Sequence, residues 1–254
     1  MSINLNAPDE YREQRIQVPL YKEFPGKAVE QIPLLVAEGR NIIAVYHVMD
    51  RRISPKLPEQ TRNDWKNKYV HTIDSLHRFK DGSAKIVLDD PCVVALNEKT
   101  VLDLGAAVLS GEAYESLTGK NVLYLAPEKV RNLHGKVYTE ESVKDSELWN
   151  FVARDNKRLS DYADKMFPEM KSRYDYEEGM GFYFDEAQNK HTMRAWCIGR
   201  LGYWSDVDGG TDLGGSGGRF VGLAPEALQT KTSEAGAQKI SGEIINQHLS
   251  KFFL

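Results

Sequence analysis

Apolar positions recur with two different periods along this chain, and the change of period divides it. Across 27–38, Val29, Ile32, Leu35 and Val36 are spaced by three and four, which predicts a helix that Gly39 is placed to end. The stretch 41–53 supports two readings. Its β-branched Ile42, Ile43, Val45 and Val48 suit a strand, but Ile42, Val45, Tyr46, Met49 and Ile53 share one helical face, and helix is preferred. Pro55 and Pro58 interrupt the pattern. Trp65, Tyr69, Ile73 and Leu76 then return at helical spacing, so 60–79 is expected as a second amphipathic helix, stopped at Asp81-Gly82.

After Gly82 the pattern shortens and alternates. Segments 84–88 and 121–125 read as strands, and 101–109 reads as one strand loosened by Gly105. Residues 92–96 form a short apolar run of either type, and 111–117 a brief helix. The longest helical pattern spans 140–167, with Leu148, Val152, Leu159, Ala163 and Met166 on one stripe, Thr139 as N-cap and Pro168 as terminator. Asp155-Asn156 offers a point at which it could divide. Residues 180–184 and 192–201 predict a hairpin across 186–190, followed by a strand over 219–223 and a helix over 234–252. Residues 1–26, with three prolines and no sustained period, read as an extended arm. Leu-Ala-Pro-Glu occurs at both 125–128 and 223–226, where proline fits the first turn of a helix. Together these elements predict an α+β fold. A helical N-terminal third precedes a mostly antiparallel sheet flanked by helices, in one unit over 1–254 with a soft boundary near 82.

Composition narrows the class. The chain has 254 residues, 41% hydrophobic and 28% charged, which suffices for a sizeable core. The start, MSINLNAPDEYREQR, lacks the basic head and apolar centre of a signal peptide, and no run reaches the roughly 18 apolar residues of a membrane span. The two cysteines, Cys92 and Cys197, each sit in an apolar run and form no CxxC pair, which fits buried thiols in a reducing compartment. A cytoplasmic protein without a membrane partner is the expectation.

Charge changes the picture locally. The net charge is −4, yet residues 40–80 hold nine Lys and Arg against four Asp and Glu, a balance of +5. Arg51, Arg52, Arg62 and Lys66, interleaved with Tyr46, Trp65 and Tyr69, are therefore candidate contacts to a partner. A protein partner or self-association fits this surface; nucleic acid, bound through phosphate contacts and stacking, is the weaker candidate.

The second candidate is the glycine-rich segment after 202. Eight of the chain's 20 glycines fall between Gly202 and Gly222. Gly215, Ser216, Gly217 and Gly218 could offer a nest of amides to an anionic, phosphorylated ligand, with Arg219 and Arg194 as countercharges. The dinucleotide fingerprint fails, because Phe220 stands where its last glycine belongs and the segment precedes a strand. Asp206, Asp208 and Asp212 have oxygen ligands but lack the EF-hand order, with Gly210 at its fifth position, so no metal is assigned. Short catalytic signatures such as HExxH and GxSxG do not occur, the histidines are scattered, and no catalytic residue or cofactor is nominated. Asp89-Asp90 and Asp185-Glu186 are adjacent carboxylates whose side chains are expected to diverge on alternating strands. The sequence thus favours a binding or assembly protein using residues 40–80. The alternative is an enzyme or ligand-binding domain using the loop 206–219.

Overall fold

The computed structural model describes residues 19–225. The chain runs β1 (Tyr21–Pro25), α1 (Ala28–Ala37), β2 (Asn41–Ile42), α2 (Val45–Ile53), α3 (Glu59–Lys66), β3 (Val70–Arg78), β4 (Ala84–Val87) and α4 (Pro91–Val94). It continues with β5 (Leu102–Asp103), β6 (Ala106–Leu109), α5 (Gly111–Ser116), β7 (Val122–Leu125), α6 (Pro127–Leu133), α7 (Glu140–Lys144), α8 (Glu147–Ala153) and α9 (Asn156–Tyr174). β8 (Phe182–Tyr183), β9 (His191–Ile198), β10 (Val207–Asp208) and β11 (Arg219–Leu223) complete it. The fold is α+β, as expected. The helix expected over 234–252 and most of the N-terminal arm lie outside the described residues.

Two long strands, β3 and β9, pair antiparallel at the centre, and the sheet divides at both of their ends. At the end where β3 begins, the order is β1-β11-β3-β9-β10-β8. At the other end, β4 replaces β11 against β3 and carries β7, while β6 replaces β10 against β9 and carries β5. The pairings of β11 with β3 and of β10 with β8 are parallel, and the others are antiparallel. Successive residues feed opposite faces. Ala195 and Phe220 join a cluster with Ile32 and Leu35 of α1 and Val93 of α4. Trp196 and Val221 join a larger cluster with Met49 of α2, Trp149 of α8 and Tyr162 and Met166 of α9. Both cysteines are buried and unbridged.

Four expectations need correction. The helical reading of 60–79 holds only to Lys66, and Val70–Arg78 is the central strand. All but one of its nine residues are buried, including His71, Asp74, Ser75, His77 and Arg78. A strand covered on both faces shows no alternation, and its internal polar residues imitate the wet face of a helix. Secondly, the pattern over 140–167 is three helices. Ser146 caps α8 through the Trp149 N–H, and Asp155 caps α9 by accepting from the N–H groups of Lys157 and Arg158. Between α8 and α9, Arg154 is left-handed (φ 59°), a stop that its salt bridges to Asp74 and Asp89 hold in place. Pro168 does not end α9, which continues to Tyr174 with Phe167 and Met170 in the core. Thirdly, β8 and β9 are not a hairpin, because β10 lies between them.

Fourthly, the 101–109 strand is itself a hairpin. Leu104 (φ 46°) and Gly105 (φ 78°) form its two-residue turn between β5 and β6. Positive φ at both turn positions matches the right-handed twist of the flanking strands.

Candidate binding surface at one end of the sheet

The glycine-rich segment folds inward. After β10 it crosses the sheet toward α1: the Thr211 hydroxyl donates to the Ala195 carbonyl, Leu213 N–H to the Gly105 carbonyl, and Ala28 N–H to the Leu213 carbonyl. Leu213 is buried with Ile32 and Phe220. A Cβ on Gly209 would strike the Leu76 side chain, and one on Gly218 would strike the Gly26 carbonyl oxygen. These glycines permit close approach between parts of the chain itself.

At the nest, Gly215 is the residue whose amide has an internal partner among the described residues, and the amide just before it is also engaged. Gly214 N–H donates to the Asp212 carboxylate and Gly215 N–H to the Asp212 carbonyl. Gly217 and Ser216 are exposed. Arg219 opens β11, where its guanidinium lies 3.5 Å from the Glu23 carboxylate. Arg194 belongs to β9, with β3 between it and β11. Its guanidinium donates to Asp185 (2.5 Å) and to the carbonyls of Thr211 (2.7 Å) and Leu104. Arg194 and Arg219 therefore do not converge. Arg194 instead floors a cavity of about 570 Å³ lined by Asp103, Leu104, Asp185, Glu186 and Lys190, among others. Its second cation, Lys190, pairs with Asp103 at 2.8 Å. Among the described residues, no three His, Cys, Asp or Glu side chains converge as metal ligands.

The basic residues of 40–80 are mostly absorbed by the fold. Arg52 has no exposed surface, and Lys66 is buried against Glu169, so neither is a surface contact as the sequence suggested. The Arg51 guanidinium lies 4.3 Å from the Tyr21 ring and 5.3 Å from the Trp65 ring. Arg62 donates to the Leu57 carbonyl. The apparent basic face is the product of side chains that cap carbonyls and stack on rings inside the domain.

One polar cluster has the composition of a catalytic triad without its order. Ser75 donates to Asp90 at 2.5 Å, His77 Nε2 lies 2.6 Å from the same oxygen, and Cys92 N–H donates to the other one. The carboxylate stands between the hydroxyl and the imidazole, whereas nucleophile activation needs the imidazole in the middle. All three side chains are buried, so the cluster ties β3 to α4. Asp89 turns the other way, toward Arg154, so this acidic pair diverges.

A different constellation reaches solvent where β3 begins and β9 ends. Tyr69, Tyr203 and Trp204 are exposed, at 42%, 52% and 37%. The Tyr69 and Tyr203 rings lie 6.0 Å apart, with the Arg200 guanidinium 5.7 Å and 4.4 Å from them. Trp204 lies 5.4 Å from Tyr176, which stacks on Tyr174. Strand register explains the meeting. Val70 pairs with Ile198, so Tyr69 emerges beside the turn that follows β9.

That turn is unusual in its backbone. Trp204 and Ser205 both have φ of 55°, and Met180 beside them has 54°. Left-handed backbone costs an ordinary side chain about 1–2 kcal/mol. The surroundings fix it: Tyr203 N–H donates to the Arg200 carbonyl, Met180 N–H to the Trp204 carbonyl, and Gly199 N–H to the Asp206 carbonyl. Asp206 accepts from Gly181 N–H, and burial pushes its carboxyl up to about 6. Nearby His71 accepts from Arg219 N–H, and burial pushes its imidazole down to about 4. In the sequence Tyr69 lies on an apolar stripe and among the aromatics interleaved with the basic residues of 40–80, and Tyr203 lies far away at the start of the glycine-rich segment. Their proximity depends on register that no local pattern contains.

No protein-family model matches this chain, and no curated protein matches it. It is similar to a solved structure described as "Accommodation of massive sequence variation in Nanoarchaeota by the C-type lectin fold". The TM-score is 0.58 at 17% identity, covering 80% of this chain and 97% of the other. At that identity the likeness is one of fold.

Proposed function

We propose that this is a non-enzymatic binding protein that meets a protein partner through Tyr69, Arg200, Tyr203 and Trp204. The carrying observation is the exposure of Tyr203 and Trp204 side by side on a turn whose left-handed backbone is over-determined by its surroundings. Strain held by the rest of a structure gathers where function needs it, and Tyr, Trp and Arg dominate the energetics of interfaces. The structural neighbour's description, a C-type lectin fold accommodating massive sequence variation, supports reading this fold as a scaffold that persists while its sequence differs. This keeps the function class that the sequence suggested and moves its surface from the basic residues of 40–80 to one end of the sheet, where Tyr69 is the residue retained from that region. The loop 206–219 is less favoured as a phosphate site, because several of its amides bond within the chain. The two free, buried thiols fit a cytoplasmic location, which belongs to the same reading.

The test is a peptide array probed with the full chain and with the double variant Tyr203→Ser/Trp204→Ser. Selective binding that the double variant abolishes supports the proposal. Binding that survives in it, or the absence of selective binding by the unaltered chain, refutes it.

A further inference from the structure

Arg52 stands out because it is a wholly buried cation with no carboxylate partner among the described residues. Its five N–H groups meet five neutral acceptors. Nε donates to the Trp65 carbonyl at 3.0 Å, Nη1 to the Tyr162 hydroxyl at 3.0 Å and the Ser205 hydroxyl at 2.9 Å, and Nη2 to the carbonyls of Lys68 at 3.2 Å and Gly199 at 2.7 Å. The Tyr162 and Ser205 hydroxyls are themselves 2.7 Å apart. Removing a cation from water is costly even when it is well bonded, and a hydrophobic replacement is often at least as stable. General stabilisation is therefore a poor account of this side chain, and its acceptors suggest another.

We infer that Arg52 is the positioning residue of the aromatic surface, holding the 199–205 turn and the approach to Tyr69 in one register. The inference rests on the reading of that surface as a binding site. Gly199 and Ser205 bracket the turn that carries Arg200, Tyr203 and Trp204, while Lys68 immediately precedes Tyr69. One planar guanidinium fixes all three points, and Tyr162 anchors it to α9 in the core. Three of its five acceptors are backbone carbonyls, so the clamp does not depend on the outward side chains of the turn. Lysine has three donors on a single atom and cannot span the same acceptors.

Amide hydrogen exchange on the full chain tests this. In Arg52→Met, exchange at Gly199, Tyr203 and Ser205 is expected to rise at least tenfold while Met193 and Ala195 within β9 stay protected. Arg52→Lys should not restore the turn. If the Arg52 variants fail to fold, Tyr162→Phe/Ser205→Ala removes two acceptors in a chain that retains the cation, and the same local rise is expected. The triple variant Arg200→Ser/Tyr203→Ser/Trp204→Ser should leave turn exchange unchanged. Turn amides that exchange as in the unaltered chain, or that rise only together with those of β9, overturn the inference. The two readings fail separately. A loosened turn whose array binding persists removes the surface and keeps the clamp. A turn that stays protected in Arg52→Met, with array binding still lost in Tyr203→Ser/Trp204→Ser, removes the clamp and keeps the surface.

Discussion

Two neighbouring segments, 199–206 and 209–218, use opposite means to follow a difficult path. The second is rich in glycine and turns inward. Two of its glycines, Gly209 and Gly218, stand where a Cβ would meet Leu76 or the Gly26 carbonyl, and amides of the segment bond to Gly105 and Asp212. The first places Trp204 and Ser205 in left-handed backbone, where glycine would be easier, and shows aromatic side chains to solvent. Glycine content here reports close internal packing. The stronger pointer to a site is an unfavourable conformation kept by a residue whose side chain is exposed.

The largest effect expected from breaking this contrast comes from Gly218→Ala. Its Cβ would meet a backbone oxygen that cannot rotate away, so denaturant unfolding should show a loss of about 2–3 kcal/mol. Gly217→Ala meets nothing within 4 Å and should change stability by no more than about 0.5 kcal/mol. Equal losses at both positions would mean that the loop is not packed as described.

The next effect is pH dependence, and the two buried titrating groups beside these segments oppose each other. His71 is held neutral, with its imidazole pushed down to about 4, so its stabilisation is lost as pH falls from about 6.5 toward 4. Asp206 is pushed up to about 6, so the folded state binds a proton before the unfolded chain does. Stability from that group is gained as pH falls from about 6 toward 3.8. His71→Asn keeps an acceptor for Arg219 N–H and should become more stable, relative to the unaltered protein, as pH falls through this window. Asp206→Asn should become relatively less stable. Each difference is expected to reach about 2 kcal/mol, read from urea midpoints at pH 7, 6, 5 and 4.5.

Substitution of the outward rings comes third. Tyr203→Ser/Trp204→Ser should cost no more than about 1 kcal/mol in unfolding free energy, since both side chains are exposed surface. A loss of several kcal/mol would place these rings in the core economy of the fold and weaken their assignment to recognition.

The smallest effect belongs to Leu104, another bulky residue in left-handed backbone, 79% exposed at the β5–β6 turn. It lies outside the Arg52 clamp, although Arg194 donates to its carbonyl. Leu104→Asn creates an Asn-Gly turn, which suits positive φ at both positions. A gain of about 0.5–1 kcal/mol is expected in thermal or urea unfolding.

Some of this architecture was readable in the chain. The spacing of Val29, Ile32 and Leu35 gave α1, and the apolar face of 41–53 gave α2. Thr139 does cap a helix, through Ser142 N–H. The strands at 84–87, 122–125 and 219–223 followed from short β-rich runs between turns. These successes share a cause: each element has one wet side or a local stop signal, so its pattern is complete within a dozen residues. The candidate site was poorly legible for the converse reason. Arg51, Arg52, Arg62 and Lys66 form a basic cluster in sequence, but carbonyls and rings supplied by distant segments decide what each one does.

The sequence by itself determined the α+β class, the existence of most helices and outer strands, and the concentration of glycine between residues 202 and 222. Tertiary structure alone decided that 70–78 is the central strand, that Gly209 and Gly218 pack against other parts of the chain, and that Tyr69 meets Tyr203 across the end of the sheet. The physical reason is that hydrophobic periodicity records burial on one side of an element. It carries no signal for a strand covered on both faces, nor for a buried cation whose five acceptors come from three separate stretches of chain.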